Sequence, residues 1–136
     1  MNRFLVVFDT NVLVSALLSN SDSNETKLME YTEQSVITPI FSDEIIEEYK
    51  EVLSRKEFGF SKKNVGEIIS KFRKRGLLIK PKELDLEFKD ISDLKFYEVV
   101  MDKKDKNARL VTGNIKHFPK NNIVVTPKEL IRLIEN

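Results

Sequence analysis

The sequence predicts an α/β protein, a three-layer α/β/α sandwich around a central, mostly parallel sheet. Short apolar runs alternate along the 136 residues with stretches whose apolar positions return at helical spacing. Parallel strands need crossovers, and right-handed crossovers place helices on both faces of a sheet. The first run, Leu5-Val6-Val7-Phe8, is continuous rather than alternating, the pattern of a strand buried on both sides. No repeat, linker or low-complexity tract divides the chain, so residues 1–136 are read as one domain.

Residues 3 to 8 form the first predicted strand, which stops at Asp9. Helical spacing begins at Val12 and runs to Leu18. After the polar stretch from Ser19 to Asn24, read as a loop, a second short helix is expected from about Glu25 to Tyr31. Ser35 to Ile40 reads as the second strand. Ser42 then stands where an N-cap belongs, with Asp43 and Glu44 in the electropositive first turn of a helix running to about Leu53. Ser61 to about Arg75 is amphipathic, with Val65, Ile68, Ile69 and Phe72 as its buried stripe and Gly76 ending it. Leu77 to Lys80 makes a short strand. A charged, poorly periodic connection follows from Pro81 to Asp90, then a helix from about Asp93 to Met101. Arg109 to Thr112 is a strand closed by Gly113, and Ile123 to Val125 is another. Thr126-Pro127-Lys128-Glu129 is a capping box with proline at the first position of the last helix.

Apolar residues make up 40% of the chain and charged residues 33%, a balance that fits a folded globular domain and argues against disorder. The absence of cysteine excludes disulfides, thiolate zinc sites and cysteine nucleophiles. It also permits a reducing compartment, and the cytoplasm is the expected location. The apolar runs are too short to span a bilayer, and the N-terminus lacks a signal peptide's apolar stretch, so neither export nor a membrane partner is expected. Net charge is +1, from 23 basic and 22 acidic residues, so the global field does not advertise a nucleic-acid partner. Basic clusters at Lys71, Arg73, Lys74 and Arg75 and at Lys103, Lys104, Lys106 and Arg109, with Lys116 and Lys120 beyond, fit either solvated helix faces or phosphate contacts.

Three acids stand out by position. Ligands of open parallel sheets bind outside the carboxyl ends of the strands, and Asp9 sits where the first strand ends. Glu48 lies beside the inward stripe of Ile45, Tyr49, Val52 and Leu53 at about 100° per residue, while Glu47 and Glu51 point away. Asp93 falls near the middle of the apolar face formed by Leu94, Tyr97, Val100 and Met101, whereas Asp90 precedes that helix and Glu98 is turned off it. Each has a structural reading as well: Asp9 and Asp93 as helix caps, Glu48 as a boundary glutamate paired with a lysine. Read together, three carboxylates at one rim would repel each other, and a bound Mg²⁺ or Mn²⁺ is the simplest partner that offsets this. With His117 the only histidine, a dedicated zinc site is not expected.

The segment Val7-Phe8-Asp9-Thr10-Asn11-Val12-Leu13-Val14-Ser15-Ala16 resembles the opening motif of the PIN domain family of nucleases. The run from Ser42 to Arg55 resembles the family's second acidic segment, with Glu48 at its functional glutamate. Asp90-Ile91-Ser92-Asp93 resembles the third, with Asp93 the better match. Leu110-Val111-Thr112-Gly113-Asn114 resembles the fourth, which usually ends in aspartate. Four segments in order are far more specific than Asp-Thr-Asn alone. The resemblance implies a PIN-like domain using Mg²⁺ or Mn²⁺ to cleave RNA, often as the toxin of a prokaryotic toxin–antitoxin pair, with a small antitoxin partner and frequent homodimers. Asn114 in place of the fourth acid removes one negative charge and puts a second metal position in doubt.

On this reading Asp9 and Asp93 ligate the ion, with Glu48 able to join them or to orient or deprotonate the attacking water, and Asn114 positions that water. Thr10, Asn11, Ser15, Thr112, Lys116 and His117 are the expected substrate contacts, and Thr112 is also placed to hydrogen-bond Asp9. Two rivals remain. One is a catalytically weak or inactive module of the same fold that binds RNA or a protein partner. The other is a phosphotransferase resembling the haloacid dehalogenase group, which needs an acid two positions after the first aspartate; Asn11 occupies that position and disfavours it.

Overall fold

Among the described residues, 1–19 and 22–136 of a computed structural model, the chain forms five strands and six α-helices. β1 (Phe4–Phe8) leads into α1 (Thr10–Leu18) and α2 (Asn24–Glu33), and β2 (Ile37–Phe41) into α3 (Asp43–Leu53) and α4 (Lys62–Arg75). β3 (Leu77–Leu78) precedes α5 (Leu94–Asp102), then β4 (Ala108–Val111), β5 (Val124–Val125) and α6 (Pro127–Glu135) complete the order. Every pairing is parallel, in the spatial order β3-β2-β1-β4-β5. The predicted three-layer α/β/α sandwich is the observed architecture. β1 is the central strand, with Phe4, Val6, Val7 and Phe8 all buried, so it needs apolar residues on both faces. Successive connections leave β1 toward β2 on one side and reach β4 on the other, which opens a crevice at the carboxyl ends of β1 and β4.

The helix starts follow the predicted chemistry. Ser42 accepts a hydrogen bond from the Ile45 N–H at 3.3 Å and Ser61 from the Asn64 N–H at 3.0 Å. Thr126 and Glu129 satisfy each other's backbone N–H groups at 3.2 and 2.9 Å, so the capping box is complete. Ser23 caps α2; of the loop expected between Ser19 and Asn24, Asn20 and Ser21 lie outside the described residues.

Several boundaries and stripes differ from expectation for identifiable reasons. β2 begins at Ile37 rather than Ser35, because Ser35 takes a left-handed φ of 61° and the Val36 N–H returns to the Tyr31 carbonyl at 3.0 Å, closing the end of α2. β3 is two residues long, and Lys80 is outside it. Gly76 ends α4 in an extended conformation, φ −107°, not the left-handed one usual for a glycine there. The helix expected from Asp93 starts with a 3₁₀ turn over Ile91–Asp93. In α5, Phe96 and Val99 are buried with Tyr97 and Val100, while Leu94 and Met101 are half-buried. The wider arc follows from packing on two sides: one faces the sheet, and the connection before the helix lays Phe88 against Tyr97, ring centroids 5.6 Å apart. Glu98 holds that connection by accepting the Leu84 N–H at 2.7 Å. Among the described residues no helix is long and apolar enough to cross a membrane.

Candidate active site

The crevice at the ends of β1 and β4 is a cavity of about 270 Å³ whose walls include Asp9, Glu48, Asp93, Asn114 and His117. β1 delivers Asp9. Its N–H still pairs with the Val111 carbonyl at 3.0 Å, so the peptide is held in the sheet ladder although the strand has ended. Asp9 is also the N-cap residue of α1, with the Thr10 and Asn11 N–H groups acting on its carboxylate, so its structural reading is compatible with its place in the cavity. The carboxylate is buried and accepts the Thr112 hydroxyl at 2.7 Å. Burial raises the Asp9 carboxyl above the usual carboxylate range; the Thr112 hydrogen bond and backbone N–H groups at the start of α1 offset part of this, and the Glu48 charge adds to it.

α3 carries Glu48 to the same cavity, flanked by half-buried Val52, while Ile45, Ile46, Tyr49 and Leu53 sink into the core. Tyr49 is fully buried and donates its hydroxyl to the Phe8 carbonyl at 2.5 Å, tying α3 to the end of β1 directly before Asp9. Glu48 is not free. One oxygen accepts the Thr10 hydroxyl and the other lies 2.6 Å from the Lys95 ammonium. The lysine partner of the structural reading therefore exists, and it meets Glu48 where both side chains are largely buried, the lysine itself lying outside the walls of the cavity.

Asp93 stands at the start of α5 without capping it. Its Oδ2 is buried with no hydrogen-bond partner, 3.4 Å from His117 Nδ1. Burial raises the Asp93 carboxyl, the charges of Asp9 and Asp90 raise it further, and only His117 opposes them. Asp90 also lines the cavity, but the Ser92 hydroxyl and N–H, at 2.7 and 2.9 Å, hold its carboxyl below the usual range. Among the described residues no three acids or histidines form a ready-made chelating group.

The predicted substrate contacts divide. Asn11 and His117 line the cavity and are exposed. Thr10 also lines it, but it is buried with its hydroxyl committed to Glu48, and Thr112 has no exposed surface, so these two can only position the acids. Thr112 also accepts the Asn114 N–H at 3.0 Å, which fixes the turn after β4. Ser15 is exposed outside the cavity walls, and Lys116 borders a separate depression with Lys89 and Lys120. Arg55, held by Glu51 at 2.9 Å, lines the cavity and was not anticipated; the i,i+4 spacing to Glu51 was its only signal. Lys95 had none.

Thr112→Val keeps the shape of the side chain and removes its donor. It is expected to lower stability by about 1–3 kcal/mol, because a buried carboxylate oxygen is left unsatisfied, and Thr112→Ser should recover most of it. Thermal denaturation of the two variants at neutral pH checks this.

A family model described as PIN domain matches residues 5–116, a span that holds Asp9, Glu48, Asp93 and Asn114 and the elements that carry them. No curated protein matches the chain. With that match over most of its length and the parallel five-stranded sandwich beneath it, the chain belongs to the PIN domain family.

Proposed function

We propose that this PIN domain is an Mg²⁺- or Mn²⁺-dependent endoribonuclease that works in the cytoplasm as the toxin of a prokaryotic toxin–antitoxin pair. PIN domains are in general nucleases that act on RNA and use divalent metals. The observation that carries the metal-dependent part is the buried oxygen of Asp93, without a hydrogen-bond partner, on the same cavity as the buried Asp9. A bare buried carboxylate oxygen costs free energy, and two carboxyls raised by burial and by neighbouring acids, Asp9 by Glu48 and Asp93 by Asp9 and Asp90, call for a cation. The donors are all oxygen, which fits Mg²⁺ or Mn²⁺ and not zinc.

In this reading Asp9 and Asp93 hold the ion, with Thr112 fixing Asp9. When bound, the ion supplies Lewis acidity toward the phosphodiester and offsets charge growing on it. Glu48 accepts a proton from the attacking water, since each carboxylate oxygen retains a second lone pair beside its bond to Thr10 or Lys95. The Asn114 side chain orients that water, and Asn11 and His117 border the path of the strand. The antitoxin partner and a homodimer are proposed with the toxin role, on the resemblance alone.

A module of the same fold that binds RNA or a protein without cutting is the second reading. Asn114 at the fourth position and the tethering of Glu48 favour it. Calorimetric titration separates the two, because Mn²⁺ binding that disappears in Asp93→Asn supports the nuclease, and RNA binding with no Mn²⁺ binding supports the module. Asn114→Asp restores the fourth acid and is expected to tighten Mn²⁺ binding by roughly tenfold; unchanged affinity would mean that residue 114 faces no ion.

A further inference from the structure

The cation nearest the acid cluster is the protein's own. Lys95, in the first turn of α5, sets its ammonium 2.6 Å from Glu48 Oε1 and 2.5 Å from the Ser92 carbonyl, and 5.3 Å from the centre of the Phe96 ring. Its side chain is only 14% exposed, so a normally flexible chain is fixed in place. The other oxygen of Glu48 accepts the Thr10 hydroxyl. Both Glu48 oxygens are thus turned to the chain's own donors, whereas Asp93 Oδ2 has none. Asp9, Glu48 and Asp93 are therefore not equivalent.

We propose that Lys95 is a positioning residue that keeps Glu48 out of the ion's inner shell, leaving Asp9 and Asp93 to bind the ion and Glu48 to take a proton from water. This rests on the metal-dependent reading above. For Glu48 to ligate, it would have to leave Lys95, and a largely buried ammonium would lose its counter-charge, a cost several-fold larger than breaking an exposed pair. Without Lys95, Glu48 keeps the Thr10 hydroxyl and the weaker field of Arg55, which Glu51 already holds, and the ion becomes the strongest positive charge within its reach. The ion would then bind more tightly while the base is consumed as a ligand.

The test is calorimetric titration of the full chain with MnCl₂, with RNA cleavage rates measured in parallel, for wild type, Asp9→Asn, Lys95→Met, Glu48→Gln and the Lys95→Met/Glu48→Gln pair. Lys95→Met is expected to bind Mn²⁺ roughly tenfold more tightly and to cleave at least about tenfold more slowly. In the Glu48→Gln background the tightening should vanish, as it acts through Glu48. Lys95→Arg should retain wild-type affinity. A merely structural role would weaken binding instead, and Lys95→Gln replaces Lys95→Met should the latter not fold. Unchanged or weaker affinity in Lys95→Met overturns the inference, and so does equal tightening with and without Glu48, which would make Lys95 a general field. Wild type that binds no Mn²⁺ removes the metal-dependent reading and this inference together. Wild-type binding that Asp9→Asn abolishes and Lys95→Met leaves alone removes this inference only.

Discussion

Asp9→Asn is expected to reduce Mn²⁺-dependent RNA cleavage by on the order of a thousandfold or more, the scale of losing an ion's anchoring ligand, and to yield a protein that is more stable than wild type when no divalent ion is present. Asparagine keeps the acceptor that Thr112 donates to and removes the charge that burial and Glu48 disfavour. A carboxyl whose folded pKa lies above its ordinary value of 3.8 binds its proton more tightly in the native state. Its contribution to stability is therefore complete below that value and is lost as pH rises through the folded pKa. The melting temperature of Asp9→Asn minus that of wild type should accordingly grow from acid toward neutral pH in chelator, and shrink or reverse when Mn²⁺ is added to wild type. Differential scanning calorimetry across pH, beside a cleavage assay on a generic RNA, reads both effects. Equal cleavage by the two proteins would eliminate the proposed mechanism, whatever the melting curves did.

The largest single-site loss of stability outside the apolar core is expected at Gly76. Its φ of −107° is open to any residue, so the usual argument for glycine at a helix end does not apply. Contact is the reason. A Cβ there would stand 2.2 Å from the Pro39 carbonyl oxygen, 2.6 Å from that of Phe72 and 2.9 Å from a ring carbon of Phe41. Two of these are backbone atoms, one in β2 and one in α4, and neither can turn aside. Gly76→Ala should cost about 3 kcal/mol or more, and Gly76→Asn should be no better, although asparagine suits left-handed helix ends. Gly59 gives the contrast: φ is +69° and nothing lies within 4 Å of a Cβ, so Gly59→Asn is expected to cost less than about 1 kcal/mol. Urea denaturation with unchanged slopes measures all three. If Gly76→Asn were tolerated and Gly59→Asn were not, conformation rather than contact would govern both positions.

The fold was legible because its local signals agree with one another. The capping serines, the Thr126–Glu129 box and the unbroken apolar run of β1 each declare an element without tertiary help. What could not be read depended on neighbours distant in sequence. Ser35 looked like strand because only the return of Val36 to Tyr31 makes it the end of a helix. Phe96 and Val99 lie off the expected stripe yet are buried, because α5 packs on the sheet while Phe88, in a segment without periodicity, covers it at Tyr97. In the site, the strand-end rule for Asp9 and angular counting for Glu48 and Asp93 pointed to one cavity, since backbone geometry largely determines which rim they reach. Side-chain partnerships were beyond it. Thr10 and Thr112 carry hydroxyls suited to substrate or to a neighbour, and only packing assigns them to Glu48 and Asp9. Lys95 was invisible because its side chain joins an acid 47 positions earlier (95 minus 48), and no spacing rule reaches that far.

The outermost strands, β3 and β5, are two residues each. So little unpaired main chain is too short a template for another extended segment, and the exposed Leu77 and Leu78 are not backed by a longer ladder that could recruit one. The ribbon of hydrogen bonds therefore terminates itself at both margins. Copies of this molecule crowded together are offered little rail along which to polymerise.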